Sequence, residues 1–274
     1  MKHILKSMSV ALTILLCLPF GASSQNRQGK QTDVVAHRGY WNCEQAGYSK
    51  NSIAALRCAQ EAGFWGSEFD VNMTSDGVLL VYHDSAIDGK KIEKHPHSAF
   101  KYYRLKNGEP IPTIDQYLEQ GKKYPQTMLV YELKKHSCDE VEDRFVDLSI
   151  EKLRAHGLLD PSRVMFISFS FHMCERLAQK LPGFTVQYLS GDKAPAKVKK
   201  SGISGIDYNH KILSANKNWV SKAKRMGMST NTWTVNKEEQ MKKMLRKGVH
   251  QITTDYPMTA KELIQKGDFK KGKE

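Results

Sequence analysis

From residue 25 onward, short runs of β-branched, aromatic and aliphatic residues alternate with longer segments whose apolar positions recur every three to four residues. The runs Asp33–His37, Ser67–Val71, Met128–Leu133, Val164–Phe169, Thr185–Leu189, Gly202–Asp207, Met228–Val235 and His250–Thr254 predict eight strands. Helical periodicity fills most of the gaps, as at Asn51–Ala62, Asp139–His156, Ala215–Met226 and Lys237–Lys247. Alternating strands and helices imply crossover connections and therefore a parallel sheet. Eight such units in about 250 residues predict an α/β chain folded as a (β/α)8 TIM barrel, with a doubly wound open sheet as the alternative. One connection is irregular: after His83 and Asp84 the stretch Ser85–Glu109 is polar, holds Gly89 and Gly108, and leads through Pro110 into Ile111-Pro112-Thr113. This predicts a short insertion after the second strand, on the barrel face where loops carry chemistry. No internal repeat or low-complexity linker interrupts the pattern, so residues 25–274 read as a single domain, with Gly267–Glu274 as a solvated tail.

The first residues follow a different pattern. Lys2 and Lys6 precede an apolar run from Met8 to Phe20, and Gly21-Ala22-Ser23-Ser24 supplies small residues before Gln25. Residues 1–24 thus read as a secretory signal peptide. A helix over that run would extend only about 20 Å, short of a ~30 Å hydrocarbon core. The expectation is an exported chain, periplasmic or extracellular, with no stable membrane anchor after cleavage. Hydrophobic residues make up 40% of the 274 and charged residues 26%, enough for a sizeable core and unlike a disordered chain. The net charge of +13 suits an anionic partner, but the lysines are dispersed and no nucleic-acid module is recognisable, so no nucleic acid is expected. Cys43, Cys58, Cys138 and Cys174 have irregular spacing with neither a CxxC pair nor a zinc pattern, and are read as unpaired thiols.

Chemistry enters where polar residues interrupt strands that ought to be apolar, since an unpaired buried charge costs a few kcal/mol or more. Glu68 and Asp70 are two apart and leave the same face of the second strand, so their carboxylates converge. Glu132, near the end of the third strand, can add another. A hard divalent cation with oxygen ligands, Ca²⁺ or Mg²⁺, would relieve the repulsion. His37 ends the first strand and His83 follows the run Val78–Tyr82; two imidazoles that titrate near neutrality can divide proton abstraction from proton donation. Arg38 offers a planar cation for phosphate oxygens, and Lys134 shares the face of Glu132. Together these groups describe phosphoryl chemistry on a small-molecule substrate.

The motifs His37-Arg38-Gly39, Glu68-Phe69-Asp70-Val71, Thr74-Ser75-Asp76-Gly77, Val81-Tyr82-His83-Asp84, Ile111-Pro112-Thr113, Glu132-Leu133-Lys134, Ser168-Phe169, Trp233-Thr234-Val235-Asn236 and Thr254-Asp255-Tyr256-Pro257 stand in order. The series resembles the glycerophosphodiester phosphodiesterase family over nearly all of the chain after residue 24. The resemblance implies a (β/α)8 barrel with a small insertion, and hydrolysis of glycerophosphodiesters to glycerol 3-phosphate and an alcohol. It implies a divalent cation on Glu68, Asp70 and Glu132, acid–base roles for His37 and His83, and phosphate contacts from Arg38 and Lys134. Trp233 and Tyr188 are candidates for an apolar wall against the glycerol or the alcohol, while Ser168 and Asp255 are equally explained by structure. One departure stands out: where the family usually has Glu-Asn-Thr or Glu-Asn-Ser, this chain has Lys50-Asn51-Ser52, with Glu44 nearby as a conceivable replacement acid. The competing readings are a phospholipase-type phosphodiesterase acting on lipid headgroups, and a noncatalytic binder of phosphorylated solutes.

Overall fold

The computed structural model describes residues 31–269; the proposed signal peptide and the last residues of the tail, 270–274, lie outside the described residues. Strand β1 (Asp33–Ala36) and strand β2 (Gly66–Met73) flank helix α1 (Ile53–Glu61). β2 folds back antiparallel onto β3 (Leu79–Val81), and β4 (Ala86–Ile87) and β5 (Lys90–Lys91) form a separate small hairpin. Then follow α2 (Ile114–Gly121), β6 (Met128–Leu133), α3 (Asp139–Ala155), β7 (Val164–Ser168), α4 (Phe171–Lys180) and β8 (Val186–Tyr188). The chain continues through α5 (Pro195–Lys200), β9 (Gly205–Asn209), α6 (His210–Ala215), α7 (Trp219–Arg225), β10 (Ser229–Trp233), α8 (Glu238–Lys247), β11 (Gln251–Thr254) and α9 (Pro257–Lys266).

The parallel strands neighbour one another in the order β10, β9, β8, β7, β6, β2, β1, β11. The two ends of that series approach each other: the Val235 N–H donates to the Thr253 carbonyl at 3.0 Å and the His250 N–H to the Thr230 carbonyl at 2.9 Å. The sheet is therefore a nearly closed barrel of eight parallel strands, as the strand–helix alternation predicts. The helices start on side chains suited to it. Ser52 accepts from the Ala55 N–H, Ser170 from the Met173 N–H, and Thr113 with Gln116 forms a capping box.

Strand alternation decides what faces inward. Phe69, Val71, Tyr131 and Leu133 pack in the large core between sheet and helices. Glu68, Asp70, Val130 and Glu132 must therefore point into the barrel. There Val35, Val130, Met165, Ile167 and Leu189 form an apolar plug. The carboxylates sit at its C-terminal mouth.

The insertion follows β3, the antiparallel return of β2. It is built around its own small core of Leu80, Ile87, Ile92, Phe100, Leu105 and Ile111. Its last residue locks it to the barrel: Glu109 accepts from the Ile53 and Ala54 N–H groups at 2.9 and 3.2 Å, at the unsatisfied N-terminus of α1. The helix predicted over 215–226 is α7 and starts only at Trp219, because Asn216–Asn218 separate it from α6, a short helix that the periodicity did not predict. No helix among the described residues is long and apolar enough to cross a membrane. All four described cysteines are free thiols.

Candidate active site

Parallel pairing of β2 with β6 sets Asp70 directly beside Glu132, with Glu68 one pleat deeper. Ligand oxygens of the three lie within 4.8 Å of one another, and each residue is buried. The consequences are electrostatic. Burial, then the Asp70 charge, pushes Glu132 up to about 7, and burial with Asp70 and Glu132 raises Glu68 well above the usual carboxylate range. Burial would raise Asp70 too, but Lys134, His83 and Arg38 around it prevail and hold it below its ordinary value.

The cations are tightly placed. Lys134 Nζ lies 2.7 Å from Glu132 Oε1 and 3.1 Å from Asp70 Oδ1, and Arg38 Nε is 3.4 Å from Asp70 Oδ2. The Arg38 backbone N–H donates to Glu68 Oε2 at 2.7 Å. Asn51 clasps Asp70 from the other side: its Nδ2 donates to Oδ2 at 2.9 Å and its Oδ1 accepts the Asp70 N–H at 3.2 Å. Gly39 lets the chain turn this sharply off β1. Its φ is +78°, and a Cβ there would meet Ala55 at 2.7 Å.

Both histidines are oriented through Nδ1 by a carboxylate, His37 by Asp255 at 2.7 Å and His83 by Asp84 at 2.6 Å. An ionised carboxylate can only accept, so each Nδ1 carries the proton and leaves Nε2 as the nitrogen able to accept one. His37 Nε2 is 4.0 Å from Glu68 Oε2. Asp255 also accepts from Trp41 Nε1 at 3.0 Å and Asn236 Nδ2 at 2.6 Å. Although burial opposes it, these donors, His37 first, pull the Asp255 carboxyl down to about 2. Burial foremost lowers the His83 imidazole below its ordinary value.

His37, Arg38, Glu68, Asp70, His83, Glu132, Lys134 and Trp233 thus line one pocket of about 100 Å³, which brings together the three acids, the two histidines, the two cations and the indole. Phe169, Leu189 and Trp233 form its apolar side; Trp233 is fixed by a 3.0 Å bond from Nε1 to the Asp207 carbonyl and by an edge contact with Phe169. Tyr188 is not part of this wall. Along β8 and just past its end the inward positions are Gln187 and Leu189, and Tyr188 points to the helices, where its hydroxyl donates to Asp192 at 2.7 Å and its ring meets Phe171. Ser168 donates to the Leu133 carbonyl, a structural bond. Glu44 is solvent-exposed on a 3₁₀ turn and does not line the pocket.

Sequence reasoning undervalued Asp255 and missed Asp207. Asp207 lines the pocket, is buried with Oδ1 lacking a partner, and is held well above the usual carboxylate range by burial and then by Glu132. An acid inside the run Gly205-Ile206-Asp207-Tyr208 is the signal that would have found it. A second cleft, of about 400 Å³, adjoins the first and shares Arg38 and His83 with it.

Comparison with known proteins agrees with this geometry. Residues 37–259 match the glycerophosphoryl diester phosphodiesterase family. A glycerophosphodiester phosphodiesterase of Caldanaerobacter subterraneus is 27% identical over 262 residues, covering 86% of this chain and 99% of that one. The crystal structure of a glycerophosphodiester phosphodiesterase from Parabacteroides distasonis superposes with a TM-score of 0.84 at 39% identity, covering 88% of this chain and all of the other. An Oleispira antarctica phosphodiesterase, solved with the product sn-glycerol-3-phosphate, has the same fold at a TM-score of 0.72 and 23% identity, over 86% of this chain and 97% of that one.

Proposed function

The chain belongs to the glycerophosphoryl diester phosphodiesterase family and is a phosphoric diester hydrolase, and from that premise we propose that it hydrolyses glycerophosphodiesters to glycerol 3-phosphate and an alcohol by cation-assisted histidine acid–base catalysis. The observation that carries the reading is a buried three-carboxylate cluster in which Glu68 Oε1 has no hydrogen-bond partner, flanked by two carboxylate-oriented histidines. An orphaned buried carboxylate oxygen beside two further acids fits a hard cation, Ca²⁺ or Mg²⁺, held by Glu68, Asp70 and Glu132. When bound, the ion supplies charge stabilisation to the phosphoryl oxygens.

The chain's own groups do the rest. Arg38 and Lys134 neutralise the remaining phosphate charge, and Trp233 with Phe169 bounds the glycerol. His37 borders only the inner pocket, whereas His83 borders both cavities. His37 Nε2 therefore takes the proton of the attacking oxygen, from water or from the glycerol's own neighbouring hydroxyl. His83 Nε2 returns a proton to the alkoxide that leaves toward the outer cleft. Asp255 keeps the His37 tautomer fixed and stabilises its imidazolium.

The reaction is assigned to the outside of the cytoplasm on the amino-terminal pattern alone, and amino-terminal sequencing of secreted protein starting at Gln25 tests that. The catalytic reading is tested by glycerol 3-phosphate release from a panel of glycerophosphodiesters, before chelation, after it, and after restoring Mg²⁺ or Ca²⁺. Full turnover after complete metal removal would overturn it.

A further inference from the structure

The outer cleft is where the alcohol of a diester must lie once its phosphate sits between Arg38 and His83, because those two residues are common to both cavities. Its charges are one-sided. Lys50, from the segment before α1, and Lys106, from the insertion, line it from separate parts of the chain. Neither forms an ion pair with a carboxylate among the described residues. Asp84 is the one carboxylate among the lining residues, and it is committed to His83 Nδ1 at 2.6 Å. The nearby acid of the insertion, Glu109, is spent on the N-terminus of α1.

The aromatic faces of the cleft tell the same story. Quaternary and primary ammonium groups are recognised by open π-faces. Here Lys50 Nζ already stands 4.5 Å from the Trp41 ring centroid, and Lys106 Nζ stands 5.3 Å from that of Tyr48. A choline or ethanolamine group entering the cleft would find both faces occupied by cations and would be repelled by them. Tyr82 and Tyr103, whose hydroxyls are 3.3 Å apart, add neutral hydrogen-bonding groups suited to a polyol.

We infer that the outer cleft is a subsite for an anionic alcohol, so that the preferred substrates are glycerophosphodiesters whose alcohol is itself a phosphorylated polyol, bound by Lys50 and Lys106. This rests on the proposed hydrolysis for its reaction: the attacking oxygen bonds to phosphorus, the bond from phosphorus to the polyol oxygen breaks, and the proton removed at one histidine is matched by the proton delivered at the other. The products are glycerol 3-phosphate and the phosphopolyol.

The test compares kcat/KM for a glycerophosphoinositol phosphate, glycerophosphoinositol and glycerophosphocholine at fixed ionic strength, in the wild type and in Lys50→Glu/Lys106→Glu. A parallel calorimetric titration with inositol phosphate reads the subsite without turnover. Both lysines are exposed, so the variant should fold. The expected result is an anionic-over-cationic preference of about tenfold or more that the double variant abolishes, with inositol phosphate affinity falling by a similar factor and glycerol 3-phosphate affinity unchanged. Equal or better turnover of glycerophosphocholine by the wild type, with inositol phosphate binding indifferent to the charge reversal, overturns the inference and leaves the hydrolytic function intact. Loss of inositol phosphate binding in the variant with no turnover of any diester supports the subsite and overturns the hydrolytic reading instead.

Discussion

Arg38 and Asn51, both held at φ +56° although neither is glycine, are joined by a 3.0 Å hydrogen bond from the Asn51 N–H to the Arg38 carbonyl, and both direct their side chains at Asp70. Left-handed backbone at a non-glycine residue costs on the order of 1–2 kcal/mol, and two such residues side by side persist only where the surroundings hold them. What the strain secures is the orientation of one carboxylate. Asp70 receives Asn51 on one side and the Arg38 and Lys134 cations on the others, which leaves its lone pairs directed.

Asn51→Ala removes both bonds to Asp70 and sets alanine in a conformation it tolerates poorly. Cation affinity should fall by roughly 10- to 100-fold, the usual effect of removing a group that orients a ligand. Calorimetric titration of the chelated protein with Mg²⁺ and with Ca²⁺ measures this; unchanged affinity would separate Asp70 from metal binding.

Replacing either histidine by alanine should lower kcat by roughly 10²-fold or more. A diester with p-nitrophenol as the leaving alcohol separates the two roles, since that group departs without protonation. Such a substrate should restore much of the His83→Ala rate and little of the His37→Ala rate. The opposite pattern would exchange the assignments.

Asp255→Asn leaves the shape of the His37 contact but allows the wrong tautomer, because an amide can donate to Nδ1. A kcat loss of about 10²-fold is expected with KM little changed. Stability carries a second signature. The folded carboxyl titrates at about 2, below its usual 3.8, so its contribution is complete above about 3.8 and is lost as pH falls toward 2. Denaturant midpoints for wild type and variant should differ at neutral pH and converge in that window.

Glu109→Ala uncaps α1 and detaches the end of the insertion. The expected cost is about 1 kcal/mol, or about 2–4 °C in Tm for a domain of this size, read by thermal unfolding. Glu109→Gln, which keeps an acceptor, should recover part of the loss.

Much of the site was legible in the chain because strand geometry has a fixed period. Glu68 with Asp70, and Glu132 beside apolar Tyr131 and Leu133, announce inward carboxylates by alternation alone, and His37 and Arg38 follow a strand whose end is plain in the pattern. Tyr188 shows the limit. A three-residue strand is too short for its sequence to reveal which parity faces inward, and Gln187 and Leu189 took those places. The helix expected from Ala215 begins only at Trp219, and the six-residue α6 before it is too short to show a helical period of its own.

The sequence by itself determined the alternation of strands and helices, the inward direction of the acids, and the residue types a phosphodiester requires, all of which depend on neighbours a few positions apart. Only the tertiary structure decided that Asp255 would orient His37 across 218 residues, that Glu109 would cap α1, and that Lys50 and Lys106 would line one cleft. Those relationships follow from barrel closure and from the docking of the insertion, which join segments with no local pattern in common.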